Sequence, residues 1–183
     1  MNILIKLFSI NSLVFLRKII LHFSLKISGY KNFGNFYDTG EDYIFNLIKK
    51  HKIKKCLDIG AHVGKFSKKL LENKDINVIA FEPMKKTYLE LKKMEKSYKN
   101  QFRCFNIALS NRIENTKIFY TNPSSQLSSI AIKLNKINFL KNKKVKKQNI
   151  KTKILDNFVL KNKKLFEKKI DYIKIDTEGN DLK

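Results

Sequence analysis

Cys56-Leu57-Asp58-Ile59-Gly60-Ala61-His62-Val63-Gly64 reads as a short buried strand running into a glycine turn. The apolar stretch Lys55 to Ile59 breaks at Gly60, and Lys65 to Glu72 then repeats its large apolar residues, Phe66, Leu70 and Leu71, at helical spacing. The same succession recurs downstream. Ile76 to Phe81 (I-N-V-I-A-F) is a second strand ended by Glu82-Pro83. Met84 to Tyr98 is a helix in which Met84, Tyr88, Leu91, Met94 and Tyr98 recur every three or four residues. Phe102 to Leu109 is a third strand. Short buried strands alternating with helices of this length predict right-handed βαβ units and a parallel sheet.

A glycine at the carboxyl end of the first parallel strand lets the backbone approach a ligand, and open α/β sheets bind at such strand ends. The spacing is G-x-x-x-G, with His62 where the dinucleotide fingerprint has its middle glycine and Asp58 two residues before the turn. An acid there suits a ligand with an ammonium and a sulfonium, as S-adenosylmethionine has, better than one with two phosphates. The second strand ends in F-E-P and places Glu82 about 20 residues beyond the turn, where a carboxylate can accept hydrogen bonds from both hydroxyls of a ribose.

Six blocks stand in order: D-I-G-A-H-V-G at 58–64, F-E-P at 81–83, N-I-A-L-S at 106–110, S-S-I at 128–130, I-L-D-N-F at 154–158 and D-Y-I-K-I-D-T-E-G at 171–179. Together they resemble the FkbM family of S-adenosylmethionine-dependent methyltransferases from about Asp38 to the last residue. The resemblance implies an α/β, class I methyltransferase (Rossmann-like) three-layer sandwich, S-adenosyl-L-methionine as cofactor, and O-methylation of a sugar or related small-molecule or glycan acceptor. It places Asp58, Gly60, Ala61, His62 and Gly64 around the methionine part of the cofactor, Glu82 at the ribose, and Asn106, Ile107 and Ala108 near the adenine. Asp176 and Glu178 would face the sulfonium and the acceptor. The family commonly has Asn where this chain has His62. Methyl transfer from a sulfonium is an in-line displacement, so the protein mainly aligns the nucleophile and removes its proton. Asp176 is the first candidate for that base or for an orienting group, and Glu178 the second. Binding of magnesium by a strand-end acid, as in another branch of class I O-methyltransferases, is the alternative role for Asp176.

The second half reads less regularly. Thr116 to Thr121, Asn149 to Leu155 and Ile170 to Ile175 are strands, Pro123 to Ser129 a polar loop, and Lys141 to Lys147 a solvated loop or helix end. A class I sheet runs 3-2-1-4-5-7-6, whereas this pattern supplies about four parallel core strands plus a small β insertion. The expectation is an incomplete domain over residues 37–183, a C-terminally truncated cofactor-binding half with little activity alone. Its fourth strand would be an exposed apolar edge.

Residues 1–36 read as an N-terminal helical extension. From Met1 to about Ser28 apolar residues mix with Lys6, Arg17, Lys18, His22 and Lys26, but the uncharged run Leu7 to Leu16 is half of the roughly 20 residues a spanning helix needs. Basic residues follow the apolar run and no small-residue cleavage site appears, which disfavours a signal peptide. A helix packed on protein and an amphipathic helix on anionic lipid are the two readings. Gly29 to Gly40 is a connector. Thr39 with Asp42 resembles a capping box opening a ten-residue helix that aligns Ile44, Leu47 and Ile48.

The 183 residues hold 39 Lys+Arg against 16 Asp+Glu, a formal net charge of +23. Arginine occurs only at Arg17, Arg103 and Arg112, and Lys, Asn, Ile and Phe, all with A/T-rich codons, make up about half of the chain. A composition-driven lysine surface is therefore favoured over a nucleic-acid-binding module, for which neither an RRM signature nor a GXXG loop is present. A non-catalytic cofactor-binding remnant is the other alternative. Cys56 and Cys104 read as buried inert thiols of a reducing, cytoplasmic compartment. His22, His51 and His62 lack zinc-ligand spacing, so no metal site is expected.

Overall fold

The fold was determined as a computed structural model, which describes residues 13–27, 40–120, 128–129 and 145–177. The chain falls into two units, Met1–His51 and Lys52–Lys183. The boundary expected near residue 36, Thr39 and Glu178 lie outside the described residues.

The first unit contains α1 (Val14–Ile27) and α2 (Glu41–Lys50). The N-cap of α2 is Gly40, at φ 78°, with no side-chain cap hydrogen bond, and Thr39, expected to open a capping box with Asp42, lies outside the described residues. Glu41 and Asp42 in the first turn and Lys49 and Lys50 in the last instead complement the helix dipole.

In the second unit β1 (Lys55–Ile59), β2 (Asn77–Phe81), β3 (Phe102–Phe105) and β8 (Tyr172–Ile175) form a parallel sheet in the order β3-β2-β1-β8. This Rossmann-like order is the expected 3-2-1-4. Between β1 and β2 runs α3 (Lys65–Leu70), and between β2 and β3 runs α4 (Lys85–Ser97). Cys56 to Ile59 and Val78 to Phe81 are all buried, as central parallel strands must be when both faces are covered. On one face Leu57, Ile59, Ile79 and Phe81 pack with Phe158 of α5 (Leu155–Lys161). The Phe158 ring lies edge-on to Phe81 and Phe105, with centroids at 5.2 and 4.8 Å. On the other face Ser67 of α3 meets Asp58, and Glu95 of α4 accepts the Cys104 amide. Helices on both faces make the three layers.

The strands end level. Ile59 pairs with Phe81 and Ile175, and Phe81 with Phe105, so these four form one row across the sheet. At the opposite edge the Asp171 carboxylate accepts the amides of Lys54 and Lys55, both at 3.0 Å, which anchors the start of β8 beside β1. Among the described residues β8 is one of the sheet's two edge strands, with Ile173 and Ile175 about half exposed.

Four expectations are corrected. The single strand over Phe102 to Leu109 is two: β3 stops at Phe105, and β4 (Ala108–Leu109) pairs with β7 (Lys146–Lys153) in a second sheet. Part of the expected polar loop is paired, because β6 (Ser128–Ser129) joins β5 (Asn115–Tyr120) antiparallel. Lys146 and Lys147, expected in a solvated loop or helix end, begin β7 opposite Tyr120 and Phe119. That strand alternates exposed Lys151 with buried Ile150 and Thr152, a pattern of period two that the lysine run obscures. Leu155, expected at the strand's end, opens α5.

Both cysteines are free and buried, and burial pushes each thiol up to about 12, so neither is a nucleophile near neutral pH.

Candidate functional site

One residue beyond the level row stand Gly60, Glu82, Asn106 and Asp176, so the topology brings four separated predicted residues to one edge of the sheet. Gly60 has φ +84°, and a Cβ there would collide with the Asp176 carbonyl group, with its carbonyl carbon only 2.8 Å away. The close approach that this glycine permits is thus to the backbone of β8's end, where a ligand was the expectation. The amides of Gly60 and Ala61 both donate to the Phe81 carbonyl, at 2.9 and 3.1 Å, while the Asp176 amide donates to the Ile59 carbonyl at 2.9 Å.

The turn closes with the Gly64 amide on the Ala61 carbonyl at 2.8 Å. Gly64 has φ +80°, and a Cβ on it would lie 2.6 Å from Leu91 Cδ2 and 2.9 Å from Met94 Cε. Between the glycines His62 adopts φ 52°. His and Asn are among the few non-glycine residues enriched in the left-handed region, so His62 is accommodated at this φ and Asn would be too. A His62→Asn variant is expected to stay within about 0.5 kcal/mol of the parent in urea unfolding. His62→Val should lose about 1–2 kcal/mol, because a β-branched residue resists this φ.

Glu82 is buried, and its carboxylate organises both turns. Oε2 accepts the His62 amide at 2.8 Å, and Oε1 accepts the Met84 amide at 2.8 Å and the Thr87 hydroxyl at 2.9 Å. Burial pushes its pKa up, these hydrogen bonds oppose the rise, and Asp58 adds to it. A carboxylate has about four acceptor positions. Three are used here, and Oε2, with one of those bonds, faces the His62 turn.

Asn106 donates through Nδ2 to the carbonyls of Glu82 and Pro83, at 2.9 and 3.0 Å. This tether redirects the chain between β3 and β4. Ile107 and Ala108 are buried and turn their side chains into two separate hydrophobic clusters, and Ala108 pairs with Thr152 of β7.

Asp58 is fully buried on the α3 face. Its Oδ2 accepts the Ser67 hydroxyl at 2.6 Å, and Lys174 Nζ lies 3.8 Å from Oδ1. The same ammonium is 3.0 Å from Asp176 Oδ2 and 5.5 Å from the centroid of the Phe66 ring. Asp176 is the exposed member of this trio, with a side chain 58% accessible. The sequence reading missed Ser67, Thr87 and Lys174. For Lys174 a signal existed: it stands two residues before Asp176 as Asp58 stands two before Gly60, and level parallel strands pair the two. Ser67 and Thr87 are ordinary helix hydroxyls in sequence, and only packing aims them at carboxylates.

The family model for the methyltransferase FkbM domain matches residues 58–183. No curated protein matches. A solved structure of a proposed caffeoyl-CoA O-methyltransferase from Staphylococcus aureus aligns at 23% identity over 57% of this chain and 48% of its own, with a TM-score of 0.35. This chain therefore spans about half the length of that protein.

Proposed function

The chain belongs to the methyltransferase FkbM domain family, and on that premise we propose that its second unit binds S-adenosyl-L-methionine for O-methylation of a hydroxyl acceptor, a sugar or related metabolite. The observation that carries this reading is the level row of strand ends, which gathers Gly60, Glu82, Asn106 and Asp176 beside Asp58. The residues fit the cofactor's chemistry. Two carboxylates, Asp58 and Asp176, face one ammonium, Lys174, and the remaining formal negative charge favours one added cation. Glu82 offers Oε2 to ribose hydroxyls while its other bonds fix the turn that carries it.

When bound, S-adenosyl-L-methionine supplies a methyl group already activated by the sulfonium charge. The protein's own task is alignment and proton removal. Asp176, exposed at the strand end and held by Lys174, orients the acceptor hydroxyl and takes its proton. Glu178, outside the described residues, is the second candidate for that task.

Isothermal titration of the full chain with S-adenosyl-L-methionine tests the proposal. Saturable one-to-one binding is expected, weakened at least tenfold, or about 1.4 kcal/mol, by Glu82→Gln. That change sets an amide NH2 group against a donor that the carboxylate now accepts. Absence of binding heat from a folded chain would overturn the proposal.

A further inference from the structure

We propose that α1 is a docking helix for the surface of a bilayer containing anionic lipids, independent of the methyl-transfer reading. Leu16, Ile19, Ile20 and Phe23 recur at the i, i+3, i+4, i+7 spacing of one helical face, and all four are exposed, at 43, 47, 47 and 65%. At 100° per residue Arg17 and His22 flank this stripe on its two sides, Lys18 lies on the opposite face, and the exposed Phe15 and Leu21 lie off the stripe.

Charge selects the occupant. No acidic residue precedes Asp38, while Lys6, Arg17, Lys18, Lys26 and Lys31 are all basic. A protein groove receiving an apolar helix has no need for an acid-free flank of this length, whereas an anionic surface attracts each cation near it. The geometry is that of a helix lying in the interface. Its 14 residues extend about 21 Å, short of the roughly 30 Å hydrocarbon thickness. No helix among the described residues is long and apolar enough to cross a membrane. With the stripe facing the acyl boundary, Arg17 reaches sideways to headgroups.

The test is sedimentation of the full chain with phosphatidylcholine vesicles, with and without phosphatidylglycerol. Because the whole chain carries +23, the informative variant is Ile20→Ser/Phe23→Ser, which leaves the charge unchanged. The parent is expected to sediment with the anionic vesicles, less so as salt rises, and the double variant to bind at least tenfold more weakly. The chain has no tryptophan, so Phe23→Trp introduces a single reporter, whose emission should shift to the blue when anionic vesicles are added. Equal sedimentation of the double variant would assign binding to net charge and overturn the proposal. An unshifted Phe23→Trp emission would overturn it as well. So would self-association on light scattering, abolished by the serine changes and unaccompanied by vesicle binding, since the stripe would then belong to a second copy of the chain.

Discussion

Gly60→Ala is expected to destabilise the chain by about 3 kcal/mol or more, from about 1–2 kcal/mol for an L-residue forced to positive φ and a further 1–3 kcal/mol for overpacking. The collision is with backbone, the Asp176 carbonyl, so no rotamer change relieves it. Relief requires β8 to move away from β1, which breaks the Asp176 amide bond to Ile59 and displaces Asp176 from the strand row. For a chain of this size the loss corresponds to a fall of about 6–12 °C in melting temperature. On the proposed reading, cofactor binding falls with it. Gly64→Ala is the internal control. It imposes the same strain at φ +80°, but meets the ends of the Leu91 and Met94 side chains, which can rotate away, so a loss of about 1–2 kcal/mol is expected. Equal losses for the two alanines in urea unfolding would show that the approach to Asp176 is not what requires Gly60.

Lys174→Met is expected to cost about 3 kcal/mol. Removing one member of a buried ion pair typically costs 3–5 kcal/mol, because the remaining charge stays desolvated. The lower end applies here, since the ammonium stands 3.8 Å from Asp58 and its side chain is 17% exposed. Ser67 continues to donate to Asp58 in the variant, but a hydroxyl does not balance a formal charge. Asp58→Asn removes that charge, so combining it with Lys174→Met should recover about 1–3 kcal/mol relative to the sum of the single changes. Chemical unfolding of the four proteins of this cycle measures the coupling, and strict additivity would remove Lys174 from the site's architecture.

The two variants probe different layers of information. That Gly60 and Gly64 bound a turn after a buried strand is legible locally, because glycine interrupts an apolar run and helical spacing resumes at Lys65. Why Gly60 must be glycine is not legible there. The atom that excludes a Cβ belongs to Asp176, far along the chain, and enters only when β8 pairs with β1. Lys174 is similar: within β8 it alternates with Ile173 and Ile175 and reads as a polar position, yet the register sets it opposite the buried Asp58. The third predicted strand failed for the same kind of reason. Phe102 to Leu109 is continuous as a pattern, but the tether from Asn106 to Glu82 and Pro83 turns it out of the sheet.

The amino-acid sequence by itself determined the alternation of strands and helices, the positions of the turns and the acids that end the strands. Those follow from side-chain periodicity and glycine conformation, which act over a few residues. Tertiary structure alone decided which strand lies beside which and where each strand ends relative to its neighbours. It also decided which helix hydroxyls reach Asp58 and Glu82. Those depend on pairing register and on packing between distant segments. The level row of strand ends, and with it the gathering of the candidate site, is a property of that register.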